Sequence, residues 1–366
     1  MRRALIKGCL ASLLAGPALA QSSTQTRQKA APAAAAGKRV ELGLATPLQD
    51  LLGNSPSDMQ QQIADYARLG ATWLRTDFWW DHIQPYRRPI YDFDKFEAIV
   101  TAAKRHGLEV LAELHGMPSF VADSGGMGFE GNRSAYIDYA LATARRFRGR
   151  IRYWEIWNEP NLQDVWGSPP DAALYTRVMR DTYTALKREF PDCFIVSGGL
   201  SPAPETARDH TGAIDFVKGM YANGGKGHFD ALGFHPYSWP LTPRDAVPWN
   251  GWDIMERNIR QIMVEQGDGE KKIWLTEFGA PTDGGKNAVS PETQAEILRQ
   301  AIDRVGREPW AGPIFWYSYR DKGGSRTDTE NWFGLVGPRG ERKPAYDLFR
   351  ATGAAARQET PPRRQR

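Results

Sequence analysis

The segment that decides the fold reads IRYWEIW at residues 151–157, LYTRVMRDTYTALKREF at residues 174–190 and FIVSG at residues 194–198. The first and third stretches are short, apolar and rich in β-branched and aromatic residues, which is typical of buried strands. The middle stretch has the amphipathic pattern of a helix, and Pro191, which cannot continue a helix, follows it. Strand, helix and strand in this order predict a parallel βαβ unit.

The same alternation extends in both directions from this unit. We expect eight strands, at residues 41–47, 72–80, 109–115, 151–157, 194–198, 229–235, 272–278 and 313–319. Helical patterns follow them at residues 59–69, 93–104, 135–147, 174–190, 214–221, 254–266, 291–305 and 345–351. Ser290 is the expected N-cap of the helix that begins at Pro291. Eight βα units predict an α/β fold, a single (β/α)8 TIM barrel over residues 39–352.

An open, doubly wound sheet is the rival topology for alternating strands and helices. That fold usually carries a glycine-rich turn after its first strand. Here residues 45–50 read ATPLQD and contain no glycine. The count of eight units and the missing turn therefore favour the closed barrel.

The two ends of the chain differ in composition from the barrel. Arg2, Arg3 and Lys7 precede a short apolar run that ends in Ala18-Leu19-Ala20. This pattern predicts a Sec-type signal peptide over residues 1–20, cut after Ala20, and so a periplasmic or secreted protein. The apolar run is too short to span a membrane. Residues 21–38, which are polar and rich in alanine, and residues 353–366 are predicted to be disordered.

Charge and cysteine content exclude several classes of protein. The chain has 47 Lys and Arg against 43 Asp and Glu, a net charge of +4, and loss of the three positive charges of the leader leaves about +1. Such a near-neutral chain lacks the basic surface that nucleic acids require. Cys193 is the one cysteine beyond the leader, and no Cys or His spacing fits a zinc site. We therefore expect no disulfide, no metal and no cofactor.

Polar and aromatic residues stand at the carboxyl ends of the predicted strands, where (β/α)8 barrels hold their active sites. They are Arg75, His115, Asn158, Glu159, His235, Tyr237, Glu277, and Trp316 with Tyr317 and Tyr319. Strands four and seven face each other across the barrel mouth, so Glu159 and Glu277 should confront one another there. Glycoside cleavage requires such a pair of carboxyl groups, one to donate a proton and one to act on the sugar. A separation of roughly 5–5.5 Å predicts retention of configuration, and roughly 6.5–9.5 Å predicts inversion.

Two motifs carry a resemblance to a known group of enzymes. Trp157-Asn158-Glu159-Pro160 resembles the acid/base motif of clan A glycoside hydrolases, and Thr276-Glu277-Phe278-Gly279 resembles their nucleophile strand. The resemblance covers residues 40–352 and is nearest to family 39-like members, which include bacterial endoglycosidases that trim biofilm exopolysaccharides. It implies a retaining, endo-acting enzyme with Glu159 as general acid/base and Glu277 as nucleophile.

The resemblance also implies roles in binding the sugar of the −1 subsite, whose glycosidic bond is cleaved. Asn158 would hydrogen-bond the 2-hydroxyl group of this sugar. His115 and His235 would line the subsite, and Trp316 would form the apolar floor on which the sugar stacks.

Two further residues would act on the nucleophile. Tyr237 would donate a hydrogen bond that keeps Glu277 ionised and aimed, and Arg75 would support the same carboxylate by its charge.

Three alternatives remain open from the sequence. An exo-acting, β-xylosidase-like glycosidase would use the same residues, and the loops at residues 118–131 and 238–253 decide between a pocket and a groove. A non-catalytic carbohydrate-binding barrel would have a different function on the same fold. A metal-dependent hydrolase would need a His-x-His motif after the first strand, which residues 45–50 lack. In the leading interpretation the partner is a polysaccharide or oligosaccharide and the protein is a monomer.

Overall fold

A closed, eight-stranded parallel barrel forms the centre of the molecule. The computed structural model describes residues 38–53, 55–86, 89–122 and 129–358. Within these ranges each strand pairs with the next, and the last pairs with the first. The strands are β1 (Leu42–Ala45), β2 (Trp73–Trp79), β3 (Glu109–His115), β4 (Tyr153–Asn158), β5 (Phe194–Gly199), β6 (Ala231–Phe234), β7 (Lys272–Phe278) and β8 (Ala311–Tyr317). The predicted (β/α)8 barrel is confirmed.

Helices surround this barrel. The helices are α1 (Leu48–Leu52), α2 (Pro56–Leu69), α3 (Trp80–Ile83), α4 (Asp94–Arg105), α5 (Ser119–Ala122), α6 (Phe129–Arg146), α7 (Gln163–Trp166), α8 (Ala172–Glu189), α9 (Ala213–Ala222), α10 (Gly251–Asp253), α11 (Arg260–Glu265), α12 (Pro291–Arg307) and α13 (Pro344–Gln358). A π-helix (Ile254–Ile259) joins α10 to α11, and a 3₁₀ helix (Thr329–Asn331) follows β8. None of the helices in the described ranges is long and apolar enough to cross a membrane.

Local sequence sets the ends of these helices. Ser290 accepts a hydrogen bond from the amide of Thr293 at 3.1 Å, so the predicted N-cap of α12 is confirmed. Between β1 and β2, Ser55 and Asp58 form a reciprocal capping box at the start of α2. That helix ends at Gly70, whose φ of +89° suits glycine.

The barrel interior is closed at its amino-terminal end by packed aromatic rings. Trp73 lies 5.1 Å from Trp274 between ring centroids, and Phe194 stacks on Trp274 at 5.2 Å. Tyr153 and Phe315 complete the group, which belongs to the cluster inside the barrel. Because these rings fill one end, inward-facing polar groups can gather only towards the carboxyl ends of the strands.

The prediction of a disordered tail from residue 353 is wrong for residues 353–358. Helix α13 continues to Gln358, six residues beyond the predicted end of the barrel. The reason is contact with α2, since a Cβ added to Gly353 would lie 2.6 Å from the carbonyl oxygen of Leu69. The predicted leader, residues 21–37 of the predicted linker and residues 359–366 lie outside the described residues.

Candidate active site

Arg75 on β2 organises the polar groups inside the barrel mouth. Its buried guanidinium donates from Nε to Glu155 Oε2 at 2.6 Å and from Nη1 to Glu277 Oε1 at 2.8 Å. Nη2 donates to Asn158 Oδ1 at 2.9 Å and lies 2.7 Å from Glu113 Oε2. One side chain thus gathers groups from β3, β4 and β7.

The charges of this cluster shift one another's ionisation. Burial opposes the charge of Arg75, but Glu113, Glu155 and Glu277 outweigh it and hold the pKa of the guanidinium well above its ordinary value. Burial raises the pKa of Glu113 well above its ordinary value, although Arg75 acts in the opposite direction. Of the carboxyl groups around Arg75, Glu113 is therefore one that resists ionisation.

Glu277 at the end of β7 is held by two donors. Its Oε1 accepts from Arg75, and its Oε2 accepts from the Tyr237 hydroxyl at 3.0 Å. Burial and the adjacent Glu277 raise the pKa of Tyr237 well above its ordinary value, so the phenol keeps its proton and remains a donor. A cation and a hydroxyl donor together favour the ionised form of Glu277.

Glu159 follows β4 in an unusual backbone conformation. Trp157 has a φ of +72° and Glu159 a φ of +38°, values that cost a non-glycine residue about 1–3 kcal/mol. The Glu159 amide donates to the carbonyl oxygen of Gly199 at 2.9 Å, which ties this turn to β5. The Glu159 side chain is only 7% exposed, and its Oε1 lies 3.0 Å from His235 Nδ1.

The two candidate carboxylates lie near the same ring nitrogen of His235. Its Nδ1 lies 3.0 Å from Glu159 Oε1 and 3.8 Å from Glu277 Oε2, so these two oxygens are no farther apart than the sum of those distances, about 7 Å. This limit includes the roughly 5–5.5 Å separation of retaining glycosidases and only the lower edge, at roughly 6.5 Å, of the range for inverting ones. The structure thus brings together the pair that the strand positions indicated.

His115 lies at the same mouth, at the end of β3. Its ring packs edge-on against Trp79 at 4.8 Å and lies 4.6 Å from Trp157. Trp79 is partly exposed, and its indole is fixed by a hydrogen bond from Nε1 to Asp77 Oδ2 at 2.9 Å. Nothing in the sequence distinguishes Trp79 from the tryptophans of the core.

Trp316 does not lie in the site, and its predicted role as the sugar floor is wrong. The side chain is 1% exposed, its Nε1 donates to the carbonyl oxygen of Phe333, and its ring packs edge-on against Phe278 outside the barrel. Successive side chains of a strand point to opposite faces. The next residue, Tyr317, therefore faces the interior, where it packs against Phe333 at 5.3 Å.

An aromatic wall lies on this side of the mouth. Phe333 packs edge-on against Tyr237 at 6.1 Å and Trp239 at 5.9 Å as well as against Tyr317. The Tyr317 hydroxyl donates to Glu330 Oε2 at 2.9 Å. Phe333 could not be predicted as a site residue from the sequence, because it lies in a long loop with no pattern that marks its inward direction.

The described residues offer no group of three His, Cys, Asp or Glu side chains arranged to hold a metal ion. The carboxylates around Arg75 are instead bonded to its guanidinium.

Several solved structures of glycoside hydrolases have a fold similar to that of this chain. No protein-family model matches the chain, and no curated protein matches it. Among solved structures, a family 39 glycoside hydrolase from Bacteroides cellulosilyticus WH2 aligns with a TM-score of 0.67 and 20% identity, over 86% of this chain and 64% of that chain. The chain therefore spans less than two thirds of that enzyme.

Two further solved structures align over more of their own length. Xylanase 10B from Thermotoga maritima has a TM-score of 0.64 and 17% identity, over 88% of this chain and 97% of that chain. A GH5_18 protein from Streptomyces cattleya, in complex with GlcNAc, has a TM-score of 0.65 and 19% identity, over 90% and 83%. At these identities the likeness establishes the barrel fold that this chain has in common with them.

Proposed function

We propose that this protein is a retaining O-glycoside hydrolase with Glu159 as general acid/base and Glu277 as nucleophile. The observation that carries the proposal is the position of both carboxylates beside His235 Nδ1, within about 7 Å of each other, at the carboxyl ends of β4 and β7. The glycosidase folds among the structural neighbours support the same reaction class.

The hydrogen bonds distinguish the two roles. Glu277 accepts from Arg75 and Tyr237, which stabilise the ionised carboxylate that a nucleophile needs. Glu159 Oε1 is hydrogen-bonded to His235 Nδ1, while no hydrogen bond to its Oε2 is present among the described residues. Glu159 therefore has an oxygen available to carry a proton to the leaving group.

The chemistry follows in two steps. In the first, a Glu277 oxygen bonds to the anomeric carbon, the bond to the leaving oxygen breaks, and Glu159 donates its proton to that oxygen. In the second, Glu159 takes a proton from water, the water oxygen bonds to the anomeric carbon, and Glu277 is released as a carboxylate. Two displacements restore the original configuration.

Neighbouring side chains fit the binding of a sugar at this position. Asn158 uses its Oδ1 to accept from Arg75, which leaves its amide N–H groups to donate to a sugar hydroxyl. On β8, Tyr317 takes the place that Trp316 was expected to fill, with its ring on the barrel side. An aromatic ring there can stack on the C–H face of a sugar.

We propose that the substrate is a bacterial or plant polysaccharide cleaved within the chain. The xylanase among the structural neighbours and the predicted export signal support this choice. An exo-acting enzyme would release single sugars from one end, and a non-catalytic barrel would bind without hydrolysis. Product sizing separates these three outcomes.

The proposed function is tested by hydrolysis of a panel of aryl glycosides and polysaccharides by the full chain. Glu277→Gln should lower kcat by at least about 10³-fold, because the amide cannot form the glycosyl ester. Glu270→Gln changes an exposed carboxylate and is the matched control. Equal activity of wild type and Glu277→Gln would remove the nucleophile assignment.

A further inference from the structure

His235 is enclosed differently at its two ring nitrogens. The side chain is fully buried, and Nδ1 lies 3.0 Å from Glu159 Oε1. Among the described residues, Nε2 has no hydrogen-bond partner. A Cβ added to Gly199 would lie 2.2 Å from Nε2 and 2.4 Å from Thr276 Oγ1, so Nε2 abuts the Cα of this glycine.

This enclosure fixes the position of the imidazole proton. A neutral imidazole has one N–H group, and a buried N–H without an acceptor costs about 1–3 kcal/mol. Nδ1 has an acceptor in Glu159, whereas Nε2 faces Gly199 and a Thr276 hydroxyl that has no hydrogen-bond partner in the described part of the chain. The proton therefore belongs on Nδ1. At 3.8 Å Glu277 Oε2 is too distant to share it.

The tautomer in turn determines which oxygen of Glu159 carries the acid proton. When Glu159 is protonated, Oε1 still accepts from His235 Nδ1, so the proton lies on Oε2. We propose that His235 is a positioning residue that directs the proton of Glu159 to Oε2, the oxygen without a protein hydrogen bond in the described structure. This role rests on the proposed function of Glu159.

The first test measures the tautomer without any substrate. The full chain is labelled with ¹⁵N-histidine, and two-dimensional spectra are recorded near neutral pH. The chain has six histidines, and His235→Phe identifies the signals of His235 by their loss. We expect a protonated Nδ1 and an unprotonated Nε2, and a proton on Nε2 would overturn the inference.

Thr276→Val supplies the matched control for this measurement. Its methyl group replaces, at similar volume, the hydroxyl that lies against Gly199 together with Nε2. We expect the Nδ1–H tautomer to persist in this variant. A change of tautomer would contradict the argument that Gly199 and the bond to Glu159 fix it.

The second test asks whether His235 acts through the acid proton. A 2,4-dinitrophenyl leaving group needs little protonation, whereas a 4-methylumbelliferyl group needs more. Both leaving groups are tested on one sugar, which is the β-xyloside, β-glucoside, β-mannoside or β-galactoside that the wild type cleaves fastest. The loss of kcat/KM in His235→Phe should be on the order of tenfold to a hundredfold larger for the umbelliferyl substrate than for the dinitrophenyl substrate. His235→Asn, whose amide can donate from the position of Nδ1, should recover part of the loss.

The outcomes separate this inference from the proposed function. Equal losses on both leaving groups would show a structural role and would overturn the directing role. Absence of hydrolysis by the wild type would overturn the proposed function together with the directing role. A proton on Nε2 in an active enzyme would overturn the inference alone.

Discussion

Arg75 is the residue on which the charge balance of the site depends. Its guanidinium contacts Glu113, Glu155 and Glu277, all of which are almost fully buried. Removal of the cation would leave these carboxyl groups without a counter-charge in a place that water hardly reaches. We infer that the same contacts that orient Glu277 also stabilise the barrel.

Arg75→Met should therefore lower the free energy of unfolding by about 3–5 kcal/mol. Urea denaturation followed by circular dichroism measures this loss. Arg339→Met is the matched control, because Arg339 is 89% exposed and pairs with a half-exposed Glu341. An unchanged denaturation midpoint in Arg75→Met would contradict the account of the cluster.

Glu113 gives the site a predictable pH dependence. Its pKa in the folded protein lies above the ordinary value of 4.5, chiefly because of burial. The folded state therefore binds more protons than the unfolded state above that value, and the stability present at acid pH is lost as pH rises towards the folded pKa. Glu113→Gln has no proton to lose at this position.

Thermal unfolding at about pH 5 and about pH 8 measures this effect. The fall in stability from the lower to the higher pH should be smaller in Glu113→Gln than in the wild type. Glu270→Gln, on the surface, should follow the wild type at both. If Glu113→Gln shows the same fall as the wild type, Glu113 is already ionised and the interpretation of its environment is wrong.

The sequence predicts which residues lie at the candidate site better than it predicts the face of the strand to which each side chain points. Arg75, Glu159 and Glu277 could be found because each interrupts or ends an apolar run of its βα unit. Trp316 could not be oriented, because β8 reads AGPIFWY and has no polar residue to show which face is inward. All seven residues of β8 are buried in the structure, so the two faces of this strand do not differ in exposure.

Among the elements, β5 supports the two candidate carboxylates through one residue, Gly199. The Gly199 amide donates to Glu155 Oε1 at 2.9 Å, and its carbonyl oxygen accepts from the Glu159 amide at 2.9 Å. Its missing side chain makes room for His235. This strand therefore positions Glu159 and, through Glu155 and Arg75, also supports Glu277.

Gly199→Ala should be destabilising by about 1–3 kcal/mol or more, since its Cβ would overlap His235 Nε2 and Thr276 Oγ1. Differential scanning calorimetry measures the change. Gly131→Ala in α6 is the matched control, because no atom of the described residues outside the backbone of its own helix lies within 4 Å of its added Cβ. That control should be neutral or stabilising by up to about 1 kcal/mol. Similar melting temperatures of Gly199→Ala and wild type would contradict the close packing.

Element boundaries followed from the sequence where local signals were strong. β3 and β7 span the predicted residues 109–115 and 272–278, and α12 begins at its predicted cap. The end of α13 was missed because Gly353 looks like a helix terminator, whereas its contact with Leu69 and Gly70 continues the helix. That contact joins residues almost 300 positions apart in the sequence, so no local sequence pattern predicts it.

For the whole molecule, the aromatic rings at one end and the open mouth at the other define where chemistry can occur. Rings such as Trp73 and Trp274 fill the amino-terminal end, so charged groups on β2, β3, β4 and β7 converge towards the mouth. Eight repeats made the barrel predictable from sequence. The aromatic wall around Phe333 depends on how a long loop folds back, which the repeats do not encode.

The most direct measurement is the anomeric configuration of the glycosyl azide formed when azide rescues the two alanine variants on a 2,4-dinitrophenyl β-glycoside. Glu159→Ala should yield the β-azide, because Glu277 still forms the glycosyl ester and azide then enters without needing a base. Glu277→Ala should yield the α-azide, because azide occupies the position of the missing nucleophile. The same configuration from both variants, or no rescue of either, would contradict the assignment of the two carboxylates.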